Sequence, residues 1–85
     1  MEKLNHLPNI SPALEEKLKV VGIDTPEKLR EKGSRHVFVR IKTIDSSACY
    51  EMLLKLEGAI QGVCSDDLGD ETKEELKDFI AIFNR

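Results

Sequence analysis

The chain has 85 residues, 40% of them hydrophobic and 34% charged, with a net charge of −3. That composition fits one folded, soluble, helical domain with a modest core and excludes a disordered chain. A negative balance also counts against a dedicated nucleic-acid binder, which is usually basic.

The charge is uneven. Residues 1–45 carry nine Lys/Arg against seven Asp/Glu, a net of +2, while residues 46–85 carry four against nine, a net of −5. Any phosphate-facing surface therefore belongs to the first half. Aromatic residues are scarce and tryptophan is absent, so leucine, isoleucine and valine must build the core. With no signal peptide and no long apolar run, the expected location is the cytoplasm, without membrane association.

Residues 1–6 read as a lead-in, with Leu4 and Leu7 as anchors. Ser11 caps the first helix and Pro12 opens it, since proline at the first helical position loses no needed hydrogen bond. Leu14, Leu18 and Val21 form its apolar stripe, and Glu15 and Lys19 pair at i,i+4 on the wet face. Gly22 is placed for a left-handed stop, with Ile23 packing back. Thr25-Pro26 repeats the start, Leu29 points inward, and Gly33 closes a short second helix. Residues 7–33 thus read as a helix-hairpin-helix unit.

Ser34 to Thr43 is ambiguous. Val37, Val39 and Ile41 alternate like a strand, but Val37, Phe38 and Ile41 also share a helical face. No other segment reads as a partner strand, so a short helix is expected. A long central helix is predicted over 46–64, with Ala48, Cys49, Met52, Leu53, Leu56, Ala59, Ile60 and Val63 on one wide face. Leu54 and Tyr50 fall outside that face and read as exposed. Gly58 and Gly62 form a small patch that would let another helix come close. After a polar link anchored by Leu68, a last helix is predicted over 70–84. Thr72, Leu76, Phe79, Ile80 and Phe83 lie on its inner stripe, and Ile82 lies off it. The fold class is all-α, a single domain of about five helices.

Catalytic constellations are missing. His6 and His36 have no carboxylate or cysteine at triad or ligand spacing. Cys49 and Cys64, if both lie on the predicted central helix, are about 22 Å apart at ~1.5 Å per residue, too far for a disulfide. Cys49 reads as a small core residue. The acidic run from Asp66 to Glu75 fails the calcium-loop pattern, because Leu68 or Gly69 falls where an oxygen ligand is required. No cofactor or metal is called for, and no enzymatic activity is expected.

In helix-hairpin-helix motifs, the turn before the second helix of the pair commonly alternates apolar residues with glycines. Those glycines let the backbone approach a phosphate, and the following helix N-terminus offers free N–H groups. Here the matching turn is Pro8-Asn9-Ile10-Ser11, with Asn9 and Ser11 in the glycine places. Asparagine tolerates the left-handed conformation. Ser11 adds a side chain where the clamp wants none.

The stretch LPNISPALEEKLKVVGIDTPEKLREKGS (Leu7 to Ser34), its spacing to LLKLEGAIQG (Leu53 to Gly62) and the Leu68 anchor resemble the C-terminal domain of the TfoX/Sxy proteins, bacterial regulators linked to natural competence. Members typically have glycine where Ser11 stands, and often proline where Gly69 stands. The resemblance implies a small all-helical domain, often called DNA-binding by analogy. It also implies a stand-alone relative of longer proteins that carry an N-terminal domain.

Two functional readings stay open. In the first, a regulatory module contacts duplex DNA non-specifically through the backbone around Asn9, Ile10, Ser11 and Ala13. Lys17 and Lys19 lie nearby, and Lys28, Arg30, Lys32 and Arg35 add positive field. In the second, the hairpin is degenerate and the domain docks a partner protein. The expected assembly is a monomer or weak homodimer.

Overall fold

The computed structural model describes residues 4–83. Among these residues the chain is all-α: a 3-10 turn at Leu4–His6, then α1 (Pro12–Val20), α2 (Pro26–Lys32), α3 (Ser34–Ile44), α4 (Tyr50–Gln61), a 3-10 turn at Ser65–Asp67, and α5 (Asp70–Phe83). The ambiguous segment is a full helix, with Val37, Phe38 and Ile41 all buried. It packs against α1, α2 and α4, while α4 also carries α5. The core is mostly aliphatic: Leu14, Leu18, Ile23, Leu29, Leu53, Leu56 and Leu76 surround Phe38.

The helix ends follow their capping residues. Ser11 Oγ accepts from the Leu14 N–H (3.2 Å) and Thr25 Oγ1 from the Lys28 N–H (3.2 Å). Helix α1 stops in a Schellman turn, with Ile23 N–H bonding Leu18 O (2.8 Å), Gly22 N–H bonding Lys19 O (3.1 Å), and Gly22 at φ 87°. Gly33 joins α2 to α3 at φ 86°, ψ 156°, a conformation that essentially only glycine adopts.

Several expectations need correcting. The central helix runs over Tyr50–Gln61, shorter than 46–64. At its start, Asp45 Oδ1 turns back to accept from the Ser47 N–H (3.0 Å) and hydroxyl, and Lys42 Nζ donates to the Ser46 and Ala48 carbonyls (2.8 Å each). Those bonds hold residues 45–48 in a loop, a competition with helix that Asp and Ser are suited to win. At its end, Gly62 is left-handed (φ 78°) and Val63 N–H bonds Gly58 O (2.9 Å), a second Schellman stop.

Cys49 is therefore a cap residue and exposed, and Cys64 lies beyond the helix; both are exposed free thiols. Tyr50 and Leu54 are half-buried against the core, and Tyr50 Oη donates to Lys73 O (3.1 Å). No helix crosses at Gly58: the close approach there is made by the Asn9 side chain and the Val63–Ser65 backbone. On α5, Leu76 is buried and Ile82 exposed as expected, but Phe83 is 36% exposed. It remains in the fold by stacking on Phe79 and meeting Phe38 edge-on, each at 6.0 Å between centroids. Residue 84 of the predicted last helix, and residues 1–3 of the lead-in, lie outside the described residues. Among the described residues, no helix is long and apolar enough to cross a membrane.

Candidate nucleic-acid interface

The turn before α1 is shaped by Asn9, a non-glycine residue in the left-handed region (φ 69°). That backbone sends its side chain inward to the end of α4. Asn9 Nδ2 donates to Val63 O (3.0 Å) and, at 3.5 Å, to Lys55 O, while Asn9 Oδ1 accepts from the Ser65 N–H (3.1 Å). The amide orientation is fixed by its neighbours, since one end meets carbonyls and the other an N–H. Gly58 leaves the room. A Cβ there would stand 2.6 Å from Asn9 Nδ2 and 2.7 Å from Val63 O.

Beside the turn, Ile10 is buried, whereas Ser11 and Ala13 are exposed. The first turn of α1 has few donors to offer. Pro12 has none, the Leu14 N–H goes to Ser11 Oγ, and the Glu15 N–H goes to Ser11 O (2.9 Å). That leaves the N–H of Ala13, an exposed residue, as the donor these cap bonds do not use. A cleft of about 230 Å³ opens there between α1 and the start of α4, bounded by Ser11, Ala13, Lys17, Cys49, Glu51 and Lys55.

Three of the six candidate cations, Lys17, Lys28 and Arg35, meet carboxylates. Lys17 Nζ bonds Asp45 Oδ2, joining α1 to the end of α3. The Lys17 ammonium, and then the Ser47 hydroxyl and N–H, hold the Asp45 carboxyl well below the usual range. Lys28 pairs with Asp24 one turn earlier (2.8 Å), and its hydrogen bond and charge lower the Asp24 pKa. Arg35 reaches Glu75 of α5 at 3.5 Å, with both side chains more than half exposed, so that pair is worth little. Lys19, Arg30 and Lys32 are exposed. Residues 28 and 32 share a face of α2, while residue 30 lies about 200° around the helix from Lys28, so the three do not form one stripe.

Ser11, Ala13 and Lys17 are thus brought to one cleft, and the α2 cations and Arg35 are spread over other faces. Three residues to which the sequence reading gave no bonding role hold the region together. Arg40 Nη1 donates to Val21 O (3.2 Å) at the end of α1. Asp45 receives Lys17. Buried Ser34 donates through Oγ to Glu57 Oε1 (2.6 Å), tying α3 to α4. Asp24 and Lys28 pair at the local i,i+4 spacing, although the sequence reading named Glu15 and Lys19 instead; the others link distant segments.

The model of the family described as "TfoX C-terminal domain" matches residues 1–80. Protein Sxy of Escherichia coli K12 is 35% identical over 78 residues, covering 92% of this chain and 37% of Sxy. The chain therefore spans little more than a third of that relative. Two crystal structures of Listeria monocytogenes proteins of unknown function are similar throughout. One, a triclinic form, has 42% identity and a TM-score of 0.95, covering 98% of this chain and 94% of the other. The second, a tetragonal form, has 44% identity and a TM-score of 0.91, covering 94% and 98%.

Proposed function

The chain belongs to the TfoX C-terminal domain family, and on that premise we propose that it is a non-enzymatic regulatory module that acts by contacting another protein. The setting is competence or transcription control, and the hairpin is not used to grip a nucleic-acid backbone. One observation carries this reading: the Asn9 side chain and Lys17, the polar side chain of the turn and the cation nearest it, are already bonded within the fold. Asn9 has both ends of its amide engaged with the end of α4, and Lys17 is engaged with Asp45. Releasing either would cost a part-buried or charge-assisted bond before any phosphate contact formed. The overall charge of −3 adds long-range repulsion toward a polyanion.

The DNA reading keeps one feature, the exposed Ser11–Ala13 start of α1 with its Ala13 N–H. Fluorescence anisotropy of a labelled duplex, titrated at low salt and again at physiological salt, separates the two readings. The protein-contact reading predicts no saturable binding at either salt. Saturable binding that falls steeply with salt, as counterion release requires, would overturn it.

A further inference from the structure

We propose that the solvent-facing arc of α3 is a docking surface for an acidic helical segment of a partner protein. The inference rests on the protein-contact reading and names the chemistry of that partner.

Among the described helices, α3 alone holds no carboxylate: Ser34–Ile44 contains Arg35, Arg40 and Lys42 and neither Asp nor Glu. Burial decides which way these cations point. Ser34, Val37, Phe38 and Ile41 are buried and take up one side of the helix. The opposite arc runs Lys42, Arg35, Val39, Thr43, His36, Arg40 at ~100° per residue. Arg35, His36 and Thr43 are exposed, and Val39, Arg40 and Lys42 are half-buried. All six lie on one helix, so helix geometry alone makes them neighbours.

The charge of this arc is not cancelled within the fold. Arg40 Nη1 donates to Val21 O (3.2 Å), and Lys42 Nζ donates to the Ser46 and Ala48 carbonyls (2.8 Å each). Carbonyls carry no net charge, so these bonds hold the cations in place without neutralising them. Arg35 reaches Glu75 at 3.5 Å, but both side chains are more than half exposed and solvent screens the pair. The other carboxylates nearby are engaged or turned away. Asp45 is bonded by Lys17 and Ser47, and Asp24 by Lys28. Glu57 meets Ser34, on the side of α3 opposite the arc. Glu27 and Glu31 each sit about 200° around α2 from buried Leu29. On α1, Glu15 and Glu16 lie over a turn before the Val21 carbonyl that Arg40 holds. Val39 supplies an apolar centre, and the Thr43 hydroxyl is satisfied by Arg40 O (2.6 Å). Fixed cations around an apolar point complement a helix that sets an apolar residue among carboxylates.

A long polyanion fits this surface poorly. The Arg35–Glu75 and Phe38–Phe83 contacts set α5 alongside α3, and α5 carries five carboxylates against two lysines. A duplex laid along α3 would run onto them, whereas a protein segment no longer than α3 stops short.

A ¹⁵N NMR titration at low salt, with a glutamate-rich helical peptide of α3's length and a central leucine to meet Val39, reads the face. Saturable shifts should be confined to the amides of residues 35–43, with a Kd at or below ~1 mM that weakens at least ~10-fold in about 0.5 M salt. Arg35→Glu should weaken binding at least ~10-fold, whereas Lys77→Glu, the same charge change on α5, should alter it less than ~2-fold. His36→Glu repeats the loss without touching the Glu75 pair, and circular dichroism checks that each variant stays helical. No saturable binding, shifts spread over other helices, or equal losses from Arg35→Glu and Lys77→Glu would each overturn the proposal. So would shifts of the same amides on raising protein concentration alone, which would give the face to a second copy. Failure with the peptide leaves the protein-contact reading in place if DNA binding is also absent; a duplex that binds the α3 amides more tightly than the peptide would overturn both.

Discussion

The left-handed backbone of Asn9 and the missing side chain of Gly58 fit each other: the Asn9 amide occupies the space a Gly58 Cβ would take, 2.6 Å from Nδ2. Through this pair the turn before α1 is fastened to the end of α4. The two residues should therefore be coupled in stability. Asn9→Ala loses the amide bonds and leaves alanine at positive φ, at a cost of about 2–3 kcal/mol. Asn9→Gly loses the bonds without the strain and should cost about 1 kcal/mol less. Gly58→Ala should cost about 1–3 kcal/mol, since overpacking outweighs the better helix propensity. Urea unfolding of the single and double variants checks this, and strictly additive effects would disprove the coupling.

Gly33 gives a cleaner case of backbone strain. A Cβ there meets nothing within 4 Å, yet the backbone sits at φ 86°, ψ 156°. Gly33→Ala should cost about 1–3 kcal/mol with no clash involved. An unchanged thermal midpoint would show that the α2–α3 junction relaxes freely.

Ser34 is the buried polar residue at the start of α3, 4% exposed, and its hydroxyl donates to Glu57. Ser34→Ala should destabilise by about 1–2 kcal/mol, as expected for a bond to a charged acceptor. Gln61 also donates to Glu57 (2.7 Å), so the carboxylate keeps one partner, and the loss should not exceed that range. Chemical denaturation reads the difference.

Acid should weaken the fold through Asp45 and Asp24. Their folded-state pKa values lie below the ordinary carboxylate value, Asp45 chiefly through Lys17 and Asp24 chiefly through Lys28. The unfolded chain therefore takes up these protons first. The stabilisation is fully present at neutral pH and is lost as pH falls below about 4 toward the depressed folded values. Asp45→Asn should flatten that decline. A variant with the wild-type acid profile would show that the Lys17 contact adds nothing to stability.

Local chemistry made much of this fold legible. Ser11-Pro12, Thr25-Pro26, Gly22 and Gly33 mark helix ends because caps act within a few residues. Segment 34–43 was ambiguous because β-branched residues suit both periods, and the missing partner strand decided it. The start of α4 was hidden because Ala48 and Cys49 continue the apolar spacing while Asp45, Ser46 and Ser47 fold a loop. The role of Asn9 could not be read at all. Its partners Lys55, Val63 and Ser65 are 46 to 56 residues away, and its placement in a glycine position of the turn suggested a phosphate clamp. The family was legible from the hairpin stretch, whereas the pairing of Lys17 with Asp45 required the helices to be assembled.

An NMR titration of the ¹⁵N-labelled chain with a short DNA duplex at low salt tests the central claim most directly, since it reads the turn residue by residue. With Asn9 and Lys17 engaged internally, the amides of residues 9–11 and 13–19 should stay unmoved as duplex is added. Saturable shifts confined to Ser11, Ala13 and Lys17, reversed by added salt, would contradict it.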